Sequence, residues 1–474
     1  MCRRQSASSS LSTNSMSPPD QASLWELTAA AGPPGRRFLL DERARVGLDS
    51  LAGATIFGAQ RERLRGDSVV LATGTQLATT LALLELDGLA RRIVLCPPDL
   101  GPQHLPGVMA TAGARIVVSD RPMPDLQASG ATCIAPGAPV AAGTIAAGAA
   151  SEWALFTSGT TGPPKMAIHS LRSLTGAIAR TTNAAGDRVW STFYDIRRYG
   201  GLQILLRALI GGGSMVLSGA DEPVSDFLAR AAAAGVTFLS GTPTHWRRAL
   251  LSPAARAIAP RDVRLSGEMA DQAILDKLRQ TYPAARVAHA FASTEAGVAF
   301  EIADGQAGFP AALIGEERAG ITLRVQDDTL RIRSPRAAGR YLGENMEPIA
   351  DEEGFVDTKD LVDLRDGRYH FAGRKDGVIN VGGLKVHPEE VEAVINRHPG
   401  VEMSLVKARR SPIIGAIVVA DIVLADPAAA AKQVEAEILD LCRDTLAAHK
   451  VPATVRFVPA LDVTPSGKLR RARA

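Results

Sequence analysis

Phe156-Thr-Ser-Gly-Thr-Thr-Gly-Pro-Pro-Lys165 concentrates hydroxyls, glycines and one cation within ten residues. That chemistry suits a polyphosphate. Gly159 and Gly162 let backbone N–H groups approach phosphate oxygens with no Cβ in the way, Thr157, Ser158, Thr160 and Thr161 add donors, and Lys165 adds a point charge. The common P-loop pattern G-x-x-x-x-G-K-[ST] is not met, because two prolines separate Gly162 from Lys165 and Met166 follows. Apolar runs at residues 153–156 and 166–168 flank the stretch, so it reads as a loop joining two buried strands rather than a free surface turn.

Outward from this loop the chain alternates strand and helix signals. Short β-rich runs at 68–72, 92–96 and 115–119 are separated by alanine- and leucine-rich stretches such as 76–86. This β-α-β rhythm implies a parallel sheet. Residues 122–150 are rich in Gly, Ala and Pro and read as a surface connection. The rhythm resumes with strands at 214–217 and 236–239 and helices at 225–234 and 271–280. After residue 320 the texture becomes β-rich, with strands at 321–325 and 329–333 flanking the turn signal Asp327-Asp328. From 376 it is mixed again, with helices at 388–396 and 431–447 and a strand at 417–423.

The expected fold class is α/β: a large N-terminal domain of parallel α/β subdomains plus a small β-rich subdomain, followed by a small mobile α+β C-terminal domain. The expected boundaries are a disordered tail at 1–20, the large domain at 21–375 and the small domain at 376–474. A length of 474 residues is too great for one compact core. Hydrophobic residues at 46% and charged residues at 22% fit a soluble globular protein. With 53 basic against 50 acidic side chains there is no electrostatic case for nucleic acid or an anionic membrane. Cys2, Cys96, Cys133 and Cys442 are scattered and form no C-x-x-C pair, which fits reduced thiols and a cytoplasmic location. The serine-rich first twenty residues resemble neither a signal peptide nor an anchor, Met16 is a second candidate start, and no stretch is apolar enough for an ordinary membrane span.

Further segments carry polar residues suited to nucleotide chemistry. They are Ser266-Gly267-Glu268-Met269, His289-Ala-Phe-Ala-Ser-Thr-Glu-Ala-Gly297, Thr358-Lys359-Asp360, Gly373-Arg374-Lys375-Asp376-Gly377, Val381-Gly-Gly-Leu-Lys-Val-His-Pro-Glu-Glu-Val391 and Pro465-Ser-Gly-Lys-Leu469. A single glutamate beside a hydroxyl is enough to hold magnesium on a phosphate, and an aspartate offers two acceptor oxygens to a pair of ribose hydroxyls.

In this order and spacing the segments resemble the adenylate-forming superfamily, which includes acyl- and aryl-CoA synthetases and adenylation domains. The acyl-CoA synthetase type is the nearest match. The resemblance implies that 157–165 is the phosphate loop, that Ser266, Gly267 and Glu268 contact adenine, and that the Phe291 ring lies against it. It further implies that Thr294 meets the α-phosphate, that Glu295 holds Mg2+, and that Asp360 and Arg374 bind ribose. Asp376 becomes the hinge of the small domain. Lys468 becomes the catalytic lysine, whose charge offsets the repulsion between a carboxylate and a phosphate. Gly382 and Gly383 line a thiol tunnel. Two departures stand out: Ala292 where glycine is common, and Lys359 where glycine is usual, which is harmless in solvent and awkward if the backbone needs a positive φ.

The acid pocket is expected around Thr192-Phe-Tyr-Asp-Ile-Arg-Arg-Tyr-Gly-Gly201 and Gly241-Thr-Pro-Thr-His245. Tyr194, Asp195, Arg198, His245 and Ala292 are its candidates. Asp195 suggests an amino group but lies out of register. Arg197 and Arg198 are offered as partners for a second carboxylate or a ring hydroxyl, against the common outward-facing arginine. His245 is either a substrate contact or a helix cap. The function implied is an ATP-dependent ligase that adenylates a small-molecule acyl or aryl acid and passes it to CoA. One alternative loads a separate phosphopantetheinylated acyl carrier protein; another is a non-catalytic nucleotide or acyl-adenylate binder.

Overall fold

The computed structural model describes residues 22–142, 149–157, 165–179, 187–411, 415–426, 428–464 and 467–471. Two large sheets dominate the first three quarters of the chain. In the first, the strands Glu152–Phe156, Arg92–Leu95, Ser68–Leu71, Ile116–Val118 and Thr132–Ile134 run parallel in that spatial order, and Met166–Ser170 and Arg340–Leu342 add an antiparallel edge. Parallel strands must be covered on both faces, which explains their unbroken apolar runs: Val69, Val70, Leu71, Ile93, Val94 and Leu95 are all 0% exposed. The helix Gln76–Leu86 starts where the sequence places it, with Thr75 accepting the N–H of Ala78 at 3.1 Å as its cap, a contact worth about 1 kcal/mol.

The second sheet sets the site. Its neighbouring strands Val189–Thr192, Phe238–Gly241, Asp262–Ser266 and Arg286–Ser293 are parallel, with Gly297–Ile302 antiparallel beyond them. Their carboxyl ends therefore lie side by side and lead into Phe193-Tyr194, Thr242, Gly267-Glu268 and Thr294-Glu295. Ligands of open α/β sheets bind at such ends. Trp246, 0% exposed, anchors the helix Pro243–Leu251 against this sheet by donating to the Arg264 carbonyl at 3.1 Å.

A six-stranded antiparallel sheet includes Ile321–Gln326, Thr329–Arg333, Val356–Arg365 and Arg368–Arg374. Asp327 and Asp328 both have positive φ, 51° and 59°, as a two-residue hairpin turn requires. The C-terminal part has its own core of Val391, Ile395, Ile422, Ile438 and Cys442, formed by the helices Pro388–Ile395 and Ala431–Thr445 and the sheet Val401–Ser411, Gly415–Leu424, Thr454–Phe457. No helix among the described residues is long and apolar enough to cross a membrane.

Several elements differ from the sequence expectation. The passage 122–150 is more than a connection: Pro124–Ala128 is helical and Thr132–Ile134 joins the sheet beside Ile116–Val118, a strand of three residues being too short to show alternation. The strand expected at 236–239 is Phe238–Gly241, because Gly235 and Val236 still close the preceding helix through N–H bonds to Ala232 and Ala231. The eleven-residue strand Val401–Ser411 has no counterpart in the reading; its apolar start and basic end hide the period. Lys359 does adopt a positive φ, 60°, with an exposed side chain, and its N–H reaches Asp357 Oδ1 at 2.9 Å.

Candidate active site

The candidate phosphate loop lies between the paired strands Glu152–Phe156 and Met166–Ser170, and the Thr157 N–H donates to the Lys165 carbonyl at 2.9 Å across its mouth. Ser158, Gly159, Thr160, Thr161 and Gly162 lie outside the described residues. Lys165 Nζ sits 5.3 Å from the centre of the Tyr341 ring, and Tyr341 Oη donates to Glu295 Oε1 at 3.3 Å. Burial and the Glu295 charge push the Tyr341 phenol up to about 12, so it stays a donor. The structure thus gathers the loop lysine and the candidate metal carboxylate around one phenol that the sequence reading missed.

Thr294 is held from behind. Its carbonyl accepts from His169 Nε2 at 2.7 Å, which fixes the tautomer and leaves Nδ1 facing Ser173 Oγ at 3.0 Å. Burial presses the imidazole down to about 4, so it is neutral. His169 follows Lys165 by four residues, but a buried histidine in an apolar strand carries no signal of this contact.

Asp360 and Arg374 face each other as cross-strand partners of Val356–Arg365 and Arg368–Arg374. Burial raises the Asp360 carboxyl to about 6, against the opposing pull of Arg374 and Lys468. Nearby, Phe291 stacks between Phe300 and Phe371, centroids 5.8 and 5.2 Å away. The ladder slips between Phe291 and Ala292, and partly buried Ala292 packs against the main core.

The tail brings Lys468 to these groups. The charges acting on its ammonium are those of Glu268, Arg374, Asp360 and Arg198, and burial lowers its pKa. Two bonds dock the tail: Thr242 Oγ1 donates to the Gly467 carbonyl at 2.7 Å, and the Leu469 N–H donates to Glu268 Oε1 at 3.0 Å. The second Glu268 oxygen accepts the Thr244 N–H at 3.0 Å, so this carboxylate is occupied by backbone on both sides. Gly267, at φ 86°, passes close to the lysine, and a Cβ there would stand 3.5 Å from Lys468 Cε. Ser266 turns its carbonyl to the Tyr194 hydroxyl at 2.7 Å; burial raises the pKa of that phenol.

The acid-pocket candidates separate into two groups. Asp195 and Arg197 form a buried ion pair, with Arg197 Nη2 and Nε reaching the carboxylate at 2.6 and 2.8 Å while Nη1 ties to the Thr73 carbonyl at 2.6 Å. Arg197 is 2% exposed, so neither the outward-facing reading nor a substrate role describes it; it pins the loop. Arg198 instead pairs with Asp99 and lies within the field of Lys468, with a buried Nε that has no hydrogen-bond partner among the described residues. His245 is the helix cap of the two readings: its Nδ1 receives the Thr242 N–H at 3.2 Å, its ring stacks on Phe193 at 5.5 Å, and burial lowers it to about 3. Gly382 and Gly383, at φ 58° and 90°, form the turn of the hairpin Ile379–Val381, Leu384–Val386, with open space where a Cβ would stand. Asp376 lies in the single turn Lys375–Gly377 between the two parts of the chain.

The chain matches the family described as AMP-binding enzyme over residues 64–342 and the AMP-binding enzyme C-terminal domain over 390–468. Among curated proteins it is similar to the 2-succinylbenzoate–CoA ligase of Salmonella typhimurium, 29% identical with 76% of each chain covered. It is also similar to the 4-hydroxybutyrate–CoA ligase 1 of Metallosphaera sedula, 26% identical with 67% of this chain and 60% of that one covered. A third relative is the p-hydroxybenzoic acid–AMP ligase of Mycobacterium tuberculosis, 28% identical over 86% of this chain and 61% of that one. In fold it is similar to an anthranilate CoA ligase in complex with anthranoyl-AMP, with a TM-score of 0.80, 19% identity and 95% and 96% of the two chains covered. A benzoate CoA ligase from Burkholderia xenovorans gives 0.76, 20% identity and coverage of 94% and 97%.

Proposed function

The chain belongs to the AMP-binding enzyme family, and on that premise we propose that it is an AMP-forming ligase that joins a carboxylic acid to a thiol through an acyl-adenylate. The observation that carries this is the position of Lys468, on a segment bonded to Glu268 and within the field of Asp360, Arg374 and Glu268, which supports a nucleotide site there.

In the first step the acid carboxylate attacks the α-phosphorus of ATP, the bond from that phosphorus to the bridging oxygen breaks, and pyrophosphate leaves. Lys468 bridges the two anions and offsets their repulsion as charge builds. Asp360 accepts the ribose hydroxyls beside Arg374, while Phe291, stacked between Phe300 and Phe371, supports the wall of the base site rather than offering a free face. Lys165 and the loop donors hold the outer phosphates. Glu295, a carboxylate bonded to Tyr341 near Lys165, has the chemistry to hold one hard cation; magnesium bound there would screen the phosphate charge. In the second step the small domain, residues 376–474, turns about Asp376 and the 381–391 loop admits a thiol. The thiol sulfur attacks the acyl carbon and gives up its proton to solvent, the bond from that carbon to the bridging oxygen breaks, and AMP leaves with the bridging oxygen.

For the acid we favour a small aromatic or hydroxy acid. Arg198, which pairs with Asp99 and whose charge acts on Lys468, offers a cation to a ring hydroxyl or a second carboxylate. The curated relatives act on acids of this kind by name. CoA is the proposed acceptor, with a carrier-bound phosphopantetheine as the competing thiol. The test is acid-dependent ATP–pyrophosphate exchange across aryl, hydroxy, dicarboxylic, long-chain and amino acids, with Lys468→Ala as control. Exchange with aryl or hydroxy acids, abolished in Lys468→Ala while thiolysis of supplied acyl-adenylate persists, is the expected result. Silence across the panel with ATP still bound would leave only a nucleotide binder.

A further inference from the structure

Lys468 sits on a segment that follows the last core residues of the small domain, and a lysine on a loosely held segment would be a poor electrostatic catalyst. Holding a charge in place is what makes it effective, since reorganisation at the moment of reaction is avoided. The bonds from Thr242 and Glu268 tie the tail to the large domain. They cannot keep the tail in order once the small domain turns away.

A second set of contacts ties the same tail to the small domain. Arg471, three residues beyond Lys468, places Nη1 and Nη2 on the two oxygens of Glu392 at 2.8 and 2.7 Å, and Nε lies 3.4 Å from Glu389 Oε1. Glu389 and Glu392 are one turn apart on the helix Pro388–Ile395, so a single guanidinium spans both. Glu392 is itself fixed: it is 6% exposed, and Oε1 accepts the Val406 N–H at 2.7 Å from the neighbouring strand. The other oxygen of Glu389 is buried with no hydrogen-bond partner among the described residues and lies where a Cβ of Gly373 would stand, next to Arg374. One carboxylate pair therefore touches both the tail that carries Lys468 and the strand end that carries the ribose-side arginine.

Upstream of Lys468 the tail folds on itself, with the Thr464 N–H donating to the Lys468 carbonyl at 2.7 Å and the Arg470 N–H to the Asp462 carbonyl at 2.9 Å. Lys468 thus projects from a short closed turn whose far end is the Arg471 fork. A fork of this shape needs arginine. Lysine would keep the charge and lose the bidentate geometry.

We propose that Arg471 is a positioning residue for adenylation, clamping the tail to Glu392 and Glu389 so that Lys468 travels as a rigid part of the small domain and arrives at the α-phosphate in one orientation. This rests on the functional reading above. The clamp belongs to the small domain alone and persists through its rotation, whereas the Glu268 and Thr242 bonds exist only in the docked orientation.

The test uses the full chain with Arg471→Lys and Glu392→Gln. Three quantities are measured: ATP–pyrophosphate exchange, thiolysis of supplied acyl-adenylate, and amide hydrogen exchange of the peptide that contains Lys468 and Leu469. In Arg471→Lys the exchange kcat is expected to fall by roughly 10- to 100-fold, the loss typical of a displaced catalytic group, with the ATP KM within about 2-fold of wild type because no ligand contact is removed. Thiolysis should be unchanged and the tail amides should exchange faster. Glu392→Gln should move every readout the same way by less. Equal losses in both half-reactions would reduce Arg471 to a structural residue, and unchanged pyrophosphate exchange or unchanged tail amides would overturn the clamp. Wild-type silence with every acid would instead strike the functional reading, and the tail amides would then decide the clamp alone.

Discussion

Glu268 accepts the backbone N–H of Leu469 at 3.0 Å, so a residue in the loop just beyond the strand Asp262–Ser266 holds the tail segment that carries Lys468. The other Glu268 oxygen is kept in place by the Thr244 N–H at 3.0 Å. Glutamine would satisfy one of these donors and turn an NH2 group toward the other. Glu268→Gln should therefore slow ATP–pyrophosphate exchange by about 10-fold, the cost of roughly 1.4 kcal/mol for one compromised charge-assisted hydrogen bond. Thiolysis of supplied acyl-adenylate should be spared, because the bond exists only when the tail is docked. Equal slowing of both reactions would show that Glu268 acts on the nucleotide rather than on the tail.

Gly467 → Ala should block the docked orientation. A Cβ on Gly467 would fall within the His245 ring, and the φ of 74° already disfavours any L side chain. The ring cannot step aside cheaply, since Thr242 holds Nδ1 and Phe193 and Tyr194 pack on its faces. Pyrophosphate exchange should drop by about 100-fold or more, consistent with misplacement of a catalytic group, while the melting temperature stays within a few degrees because the tail carries little of the core. Adding His245→Gly should restore part of the exchange. No recovery in the double variant would mean that backbone strain, not the ring, is the obstacle.

These two contacts show where sequence reading stops. Lys468, Asp360, Arg374 and Glu295 are legible because each is a charged group in a short Gly- or Thr-bearing segment whose chemistry can be named. The parallel sheets are legible because buried strands such as Ser68–Leu71 and Arg92–Leu95 are unbroken apolar runs. Tyr341, His169 and Arg471 act through partners 46, 125 and 79 residues away, and no local pattern encodes such pairings. Arg197 and Arg198 are adjacent in sequence, yet one is locked inside the fold and the other faces Lys468. Only the turn of the backbone between them separates a structural arginine from a candidate ligand. Lys359 is the reverse case: its departure from glycine was visible, and the structure supplies the positive φ that makes it costly.

Asp360 links function to stability with opposite signs. Burial raises its carboxyl from the ordinary 3.8 to about 6, so the folded protein holds that proton more tightly than the unfolded chain does. The resulting stabilisation is complete below about pH 4 and is lost as the pH rises through 6. At pH 8 the ionised group then costs on the order of 2–3 kcal/mol relative to a neutral one. Asp360→Asn should melt several degrees above wild type at pH 8, with the gap closing toward pH 4, and the ATP KM should rise by about 10-fold as one acceptor oxygen is lost. A melting temperature below wild type at pH 8 would show that the attraction of Arg374 and Lys468 outweighs burial.

Asp376 stands in the single 3-10 turn Lys375–Gly377, directly after the extended Arg374, whose φ and ψ are −94° and 145°. Rotation of the small domain requires backbone torsions to change at or beside this turn, and a 3-10 turn holds φ near the value that a proline ring enforces. Asp376→Pro should therefore hold the chain in the orientation described above, the one with Lys468 docked. ATP–pyrophosphate exchange should stay within about 3-fold of wild type, while thioester formation from supplied acyl-adenylate should fall by 100-fold or more, as expected when a gating motion rather than chemistry is blocked. The clamp formed by Arg471 should be intact in this variant, because Glu389 and Glu392 lie on the same side of the hinge as the tail. Loss of exchange with thiolysis preserved would place the hinge torsion in the other orientation, and equal rates in both half-reactions would move the hinge away from residue 376.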